Sequence, residues 1–197
     1  MSSDSAPEYD SSDAREITTL LDRWQAGEES AFEQLLPVVY RDLRLMAHKA
    51  LATERIEHSM QASDLVHEAY LRLARTASLE AHDRRHFFAV AARAMRRILI
   101  DHARRKLAQR RIGPQQRLTL DEALHSAFDA QRVLGIDEGL TALARRHERA
   151  AKLVELRFFG GFSESESADI LGVSTVTASR DWRFARVWLL KFFDDNR

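Results

Sequence analysis

Residues 171–186 read LGVSTVTASRDWRFAR and place Ser174, Thr175, Thr177 and Ser179 just ahead of Arg180, Arg183 and Arg186. Small hydroxyl and β-branched side chains are mediocre helix formers, so their use in the opening turns of a helix points to a task other than holding it together. Short side chains let a backbone lie close to base edges, hydroxyls and a helix N-terminus bind phosphate, and arginines reach further out. Chemistry of the same kind recurs upstream. Between Arg93 and Arg111 stand eight basic residues, Arg93, Arg96, Arg97, Arg104, Arg105, Lys106, Arg110 and Arg111, against one acid, Asp101. On a helix turning about 100° per residue, Arg93, Arg96, Arg97 and Arg104 fall on one side, while Phe88, Ala91, Ala94, Met95, Ile98 and Leu99 centre on the other. Such a helix packs by one face and offers the other to phosphates, whose displaced counterions give salt-dependent affinity. Phe87 and Phe88 at its head are candidate stacking platforms for unpaired bases, with core packing the competing fate of at least one. A plain solvated arginine face is the competing reading of the whole run. Its arginines are not interleaved with acids along the helix as they would be on an ion-paired surface.

The elements that must carry these residues are helical. Seven glycines and three prolines in 197 residues leave few turn signals, and 45% hydrophobic with 30% charged residues describes an ordinary globular chain. The formal net charge of zero hides segregation: the arginine run is opposed by the amino-terminal tail and by the stretch from Asp121 to Glu138. That asymmetry is the footprint of a polyanion-binding surface. The absence of cysteine excludes disulfides and thiolate metal sites and fits a reducing compartment. The start, MSSDSAPEYDSSD, lacks the basic and apolar segments of a secretory signal, and no run has the length of a membrane span. A cytoplasmic protein with a disordered acidic tail over residues 1–13 is expected.

Along the chain, Ile17, Leu20, Leu21 and Trp24 predict a helix stopped by Gly27. Ser30 and Glu33 form an expected capping box for the next helix, in which Pro37 predicts a kink or break. A capped amphipathic helix follows from Ser63, packing through Leu65, Val66, Ala69, Tyr70 and Leu73. After a polar loop comes the long basic helix from near Phe87, and RIGPQQRLT opens a linker. Near the carboxyl end, Ser163 with Glu166 makes a capping box, Gly172 a stop and Ser174 the next cap. Ala168, four residues before Gly172, lets two helices cross closely, as in a helix-turn-helix. Ala178, Trp182, Ala185 and Leu189 form the buried stripe of the second helix, leaving Thr175, Val176, Thr177, Ser179, Arg180 and Arg183 outside.

ASDLVHEAYLRLAR, HFFAVAARAMRRILIDHARRK and LVELRFFGGFSESESADILGVSTVTASRDWRFARVWL, in this order, resemble the core-binding, promoter-melting and helix-turn-helix segments of bacterial sigma-70-type sigma factors, in particular the extracytoplasmic-function (ECF) group. The resemblance covers roughly residues 17 to 193. It implies an all-α chain with two small helical domains on a flexible linker: an N-terminal domain at 14–110, the linker at 111–126 and a C-terminal helix-turn-helix domain at 127–197. It further implies two partners: promoter DNA, and core RNA polymerase met at its β′ clamp helices and β flap. An anti-sigma factor is a third partner that the family allows. The resemblance implies no cofactor, no metal and no membrane. Residue by residue, Asp64, His67, Glu68 and Arg72 match the polymerase-binding face, with His67 standing where many relatives carry glutamine. Arg93, Arg96, Arg97, Arg104 and Arg105, with Phe87 and Phe88, match the −10 segment, and the loop 76–86 the element that captures a flipped base. Ser174, Thr175, Thr177, Ser179, Arg180 and Arg183 match the −35 helix, where Ala178 replaces a larger aliphatic residue. DNA opening would consume no nucleotide, since binding energy offsets a few kcal/mol per extruded base.

Two other classes compete. An enzyme would draw on the histidines, but His67-Glu68-Ala69-Tyr70-Leu71 lacks the second histidine of a zinc-protease helix, His82 and His86 flank two arginines, and no Gly-rich phosphate loop is present. A free-standing helix-turn-helix repressor would bind a palindrome as a dimer without polymerase.

Overall fold

Caps and breakers set most element boundaries in the computed structural model, which describes residues 11–54, 60–75, 81, 83–112 and 120–196. Helix α1 (Ser11–Gln25) ends just ahead of Gly27, whose φ of +95° suits a residue without Cβ, and α2 (Glu29–Glu54) follows. Ser30 lies inside the first turn of α2 rather than capping it. Its hydroxyl donates to the Glu28 carboxylate (3.1 Å), while the Glu28 carbonyl accepts from the Ala31 N–H. Pro37 does not break α2. It sits on the exposed side, where water can take over the Glu33 carbonyl that loses its N–H partner. Helix α3 (Ala62–Ala74) starts one residue earlier than expected: Gln61 is the N-cap, and the Asp64 carboxylate accepts from the Gln61 N–H at 3.2 Å.

Helix α4 (Arg84–Ile112) carries the basic run. Helix α5 (Leu120–Arg146) begins seven residues ahead of the expected second block, so part of the stretch read as linker is helical, and 113–119 lie outside the described residues. A break at His147 then separates α5 from α6 (Glu148–Phe158). There the His147 Nδ1 accepts from the Ala150 N–H at 3.2 Å, a cap that sequence reasoning missed because histidine is not among the usual N-cap residues. Helix α7 (Glu164–Ile170) opens with the expected box: the Ser163 N–H donates to Glu166 Oε2 (2.7 Å) and the Glu166 N–H to Ser163 Oγ (3.2 Å). Gly172, at φ +64°, turns the chain into α8 (Thr175–Asp195), whose Ser174 cap accepts from the Thr177 N–H at 3.2 Å.

Among the described residues the regular elements are eight helices, with no strand. Helices α1 to α4 surround Leu21, Leu35, Leu43, Leu65, Phe87 and Ile98, all almost fully buried. The apolar set is continuous from Ile17 in α1 to Ala185 in α8, because α4 packs on α3 to one side and on α5 and α6 to the other. A smaller cluster, Leu153, Ala168 and Ala178, joins α6, α7 and α8.

Candidate nucleic-acid interface

Helix α8 is fastened from below and open above. Ala178 and Ala185 are fully buried, and Trp182 and Leu189 partly so, as the stripe predicts. Asp181, 3% exposed, is an addition to that stripe which helical period alone does not select. The Arg149 guanidinium donates to both its oxygens (Nε 2.6 Å, Nη2 3.3 Å), and His147 Nε2 lies 3.6 Å away. Arg157 from α6 stacks 3.9 Å above the Trp182 ring and pairs with Glu164 of α7 at 3.3 Å. These contacts fix the rotation of α8, and the outward face follows. Ser174, Thr175, Val176, Arg180 and Arg183 are exposed, and Thr177 and Ser179 half-buried. Ser174 Oγ and Thr177 Oγ1 are 2.9 Å apart at the helix start. Among the described residues neither Arg180 nor Arg183 is ion-paired, and the Arg183 Nε donates only to the Ser179 carbonyl (3.4 Å). Of the six residues expected to read DNA, Ser174, Thr175, Arg180 and Arg183 are accessible at or near the start of α8, and Thr177 and Ser179 are partly covered.

The α4 candidates divide differently. The packing side is as expected, with Phe88, Ala91, Ala94, Met95, Ile98 and Leu99 buried. Phe87 and Phe88 are corrected: at 0% and 2% exposure, in edge contact with each other (5.2 Å between centroids), they are core residues with no face for a base. Arg97 and Arg105 are exposed. Arg96 is largely covered, with its side chain 16% exposed. Its Nη2 and Nε donate to Asp137 Oδ1 (2.6 and 3.1 Å) and its Nη1 to Glu155 Oε1 (3.0 Å). Arg93 approaches Glu155 and Arg104 approaches Asp137, each at 3.9 Å. The acids that interleave these arginines come from α5 and α6, beyond the reach of a pattern read along α4 alone.

On α3, Asp64 and His67 are exposed and Glu68 half-buried, one turn apart on the side away from the buried Leu65, Val66, Ala69 and Leu73. Leu71, 43% exposed, continues that line at i+7 from Asp64, a spacing legible in the sequence although leucine as a residue type suggests core. Arg72 stands apart, joining α3 to α4 through Asp101 (2.6 Å) with Glu68 at 3.7 Å. His102 sits nearby, and its pKa is lowered by burial and by the cations of Arg105 and Lys106. Of the expected base-capturing loop, residues 76–80 and 82 lie outside the described residues, as do 1–10 of the tail; Ser11 to Asp13 belong to α1. His86 pairs with Asp83 at 3.1 Å. Among the described residues no group of three or more His, Asp or Glu side chains is arranged to hold a metal.

Residues 14–195 match the family model described as ECF sigma factor. The chain belongs to the ECF sigma factor family. A curated relative, the ECF RNA polymerase sigma factor BldN of Streptomyces coelicolor, is 28% identical over 171 residues. That alignment takes in 84% of this chain and 61% of the relative, so the chain spans about six-tenths of the relative's length. In this ECF-family chain the α3 line, the α4 arginines and the α8 face lie on three different helices. Among the described residues no helix is long and apolar enough to cross a membrane.

Proposed function

We propose that the protein is a sigma factor: it binds core RNA polymerase and directs initiation at promoters carrying −35 and −10 elements. In this reading Asp64, His67, Glu68 and Leu71 meet the polymerase, α8 enters the −35 major groove, and the α4 arginines hold the −10 DNA as it opens. Membership of the ECF family supports the general role. The observation that carries the finer reading is the α8 face: hydroxyls and unpaired arginines point outward while Asp181 and Trp182 lock the opposite side. A helix held this way presents its N-terminal residues to base edges and phosphates at no cost in reorganisation. Polymerase and promoter binding together supply the free energy for unpairing, so the protein alone has weak promoter affinity.

The test is reconstitution. Purified protein and core polymerase are expected to co-migrate on gel filtration and to give run-off transcripts only from promoters that carry the −35 element. Tight dimeric binding to a palindrome with no holoenzyme would instead identify a free-standing repressor.

A further inference from the structure

We propose that the free protein forms a weak two-fold dimer in which the outward lines of two α8 helices lie antiparallel, apolar against apolar at the centre and cation against carboxylate at each end. Val187 and Leu190 are 69% and 62% exposed, and Phe184 beside them 43%. Single apolar side chains on a surface need no explanation, whereas contiguous ones mark a contact site. Their positions are ordered. On a helix turning about 100° per residue, Val176, Arg180, Arg183, Val187, Leu190 and Asp194 run down one line of α8, alternately four and three residues apart. That is the spacing by which two helices pack along a shared seam. The line lies opposite the buried side of α8, marked by Ala178, Asp181 and Ala185, so a partner helix approaches it from solvent.

The charges on that line select the occupant, a second copy of this chain. Arg183 stands four residues before Val187 and Asp194 four after Leu190; both are exposed, and neither has an ion-pair partner among the described residues. With two copies antiparallel about a two-fold axis passing between Trp188 and Leu189, Val187 of each copy faces Leu190 of the other, and Arg183 of each faces Asp194 of the other. One symmetric register therefore satisfies all four positions at once. A parallel pair would set Arg183 on Arg183 and Asp194 on Asp194, so charge fixes the antiparallel sense. Arg186 and Lys191, both exposed, flank the line. From Arg183 to Asp194 the helix rises about 16 Å. A contact of that length is small by the standard of stable complexes and corresponds to a Kd on the order of 100 µM. The pairing stands independently of the reading of α8 as a DNA helix; on that reading Arg183 serves both surfaces, so a duplex and a second copy exclude each other.

The test is sedimentation equilibrium of the full chain at protein concentrations on either side of that Kd and at low ionic strength, with circular dichroism to check helix content. Wild type is expected to pass from monomer to dimer. Arg183→Asp and Asp194→Arg each turn attraction into repulsion, and each should raise Kd about tenfold, because symmetry makes one substitution act at two exposed pairs. Arg183→Asp/Asp194→Arg exchanges the charges and should restore the wild-type Kd, a recovery that damage to the fold by either single change would not give. Leu190→Asp, in the apolar centre, should leave a monomer at concentrations where wild type is dimeric. Wild type that stays monomeric throughout overturns the dimer. A double variant no tighter than the single ones, or a Leu190→Asp variant that still dimerises, overturns this interface. If wild type is monomeric and Leu190→Asp loses association with core polymerase, the apolar line belongs to polymerase and the second copy is rejected as its occupant.

Discussion

Ala178 sits where the rotation of α8 is decided, and its replacement tests the packing argument in both directions. It is fully buried against Leu153 of α6 and Ala168 of α7, with Leu171, Val173 and Trp182 closing the sides. Ala178→Leu adds three carbons to a position flanked by another buried alanine, and overpacking of this kind costs about 1–3 kcal/mol. Ala178→Gly removes one buried methyl, about 0.8 kcal/mol, and adds the helix-interior penalty of glycine, about 1 kcal/mol, for roughly 2 kcal/mol together. Ala178→Ser falls between wild type and these two, because its hydroxyl can bond the Ser174 carbonyl one turn back. Urea unfolding followed by tryptophan fluorescence gives the ranking, with Val176→Ala, at a site 68% exposed, as a control expected to stay within about 0.5 kcal/mol of wild type. The leucine variant should also lose duplex binding beyond what its instability explains, since it tilts α8 away from α7. A leucine variant as stable as wild type would refute the close crossing of α7 and α8 at Ala178.

Ser174→Ala removes the acceptor for the Thr177 N–H and should cost about 1 kcal/mol in thermal or urea unfolding, with weaker duplex binding. Arg180→Ala/Arg183→Ala should leave stability unchanged and lower the slope of log affinity against log salt by about 0.9 for each phosphate that is no longer neutralised, as titrations at several ionic strengths would show. Glu68→Ala and Leu71→Ala should each weaken association with core polymerase at constant helix content, measured by co-migration or interferometry; Asp64 is better tested as Asp64→Asn, which keeps an acceptor for the Gln61 N–H. The lowered pKa of His102 means the folded state binds this proton less readily than the unfolded chain. Stability should therefore rise with pH through the window just below the ordinary histidine value and fall on acidification, and His102→Gln should flatten that slope in unfolding series at several pH values.

The parts of the fold that were legible in the sequence are those governed by local chemistry. Ser163 with Glu166, Gly172 and Ser174 each fix a boundary through bonds within a few residues, and each stands where the pattern put it. Ala178 and Ala185 were readable because helical period alone selects a buried side. Ser30 misled because the Glu28 carboxylate and carbonyl offered its hydroxyl and the first turn another arrangement. Asp181 and Glu155 were illegible for a different reason: a buried carboxylate is tolerable only when a cation reaches it, and Arg149 lies 32 positions from Asp181 and Arg96 lies 59 from Glu155. Phe87 and Phe88 show the same limit from the apolar side. Their sequence fits both stacking and packing, and only the tertiary surroundings of α4 choose between them.

The zero net charge acquires a meaning from these placements. A chain with 30 basic and 30 acidic residues scattered at random would form short-range surface pairs of little consequence. Here arginines concentrated on α4 face carboxylates borne by α5 and α6, so charge balance is achieved between helix groups far apart in the chain. Balance of that kind is conditional on the groups staying together. Of the arginines considered on α4 only Arg96 is largely covered; Arg93, Arg97, Arg104 and Arg105 remain exposed, and each phosphate that such a cation neutralises releases condensed counterions. The face of α8 differs, since among the described residues Arg180 and Arg183 have no carboxylate partner. The two candidate DNA surfaces therefore differ in degree: on α8 Arg180 and Arg183 have no ion-pair partner among the described residues, whereas on α4 Arg96 is held by Asp137 and Glu155 while Arg97 and Arg105 are exposed.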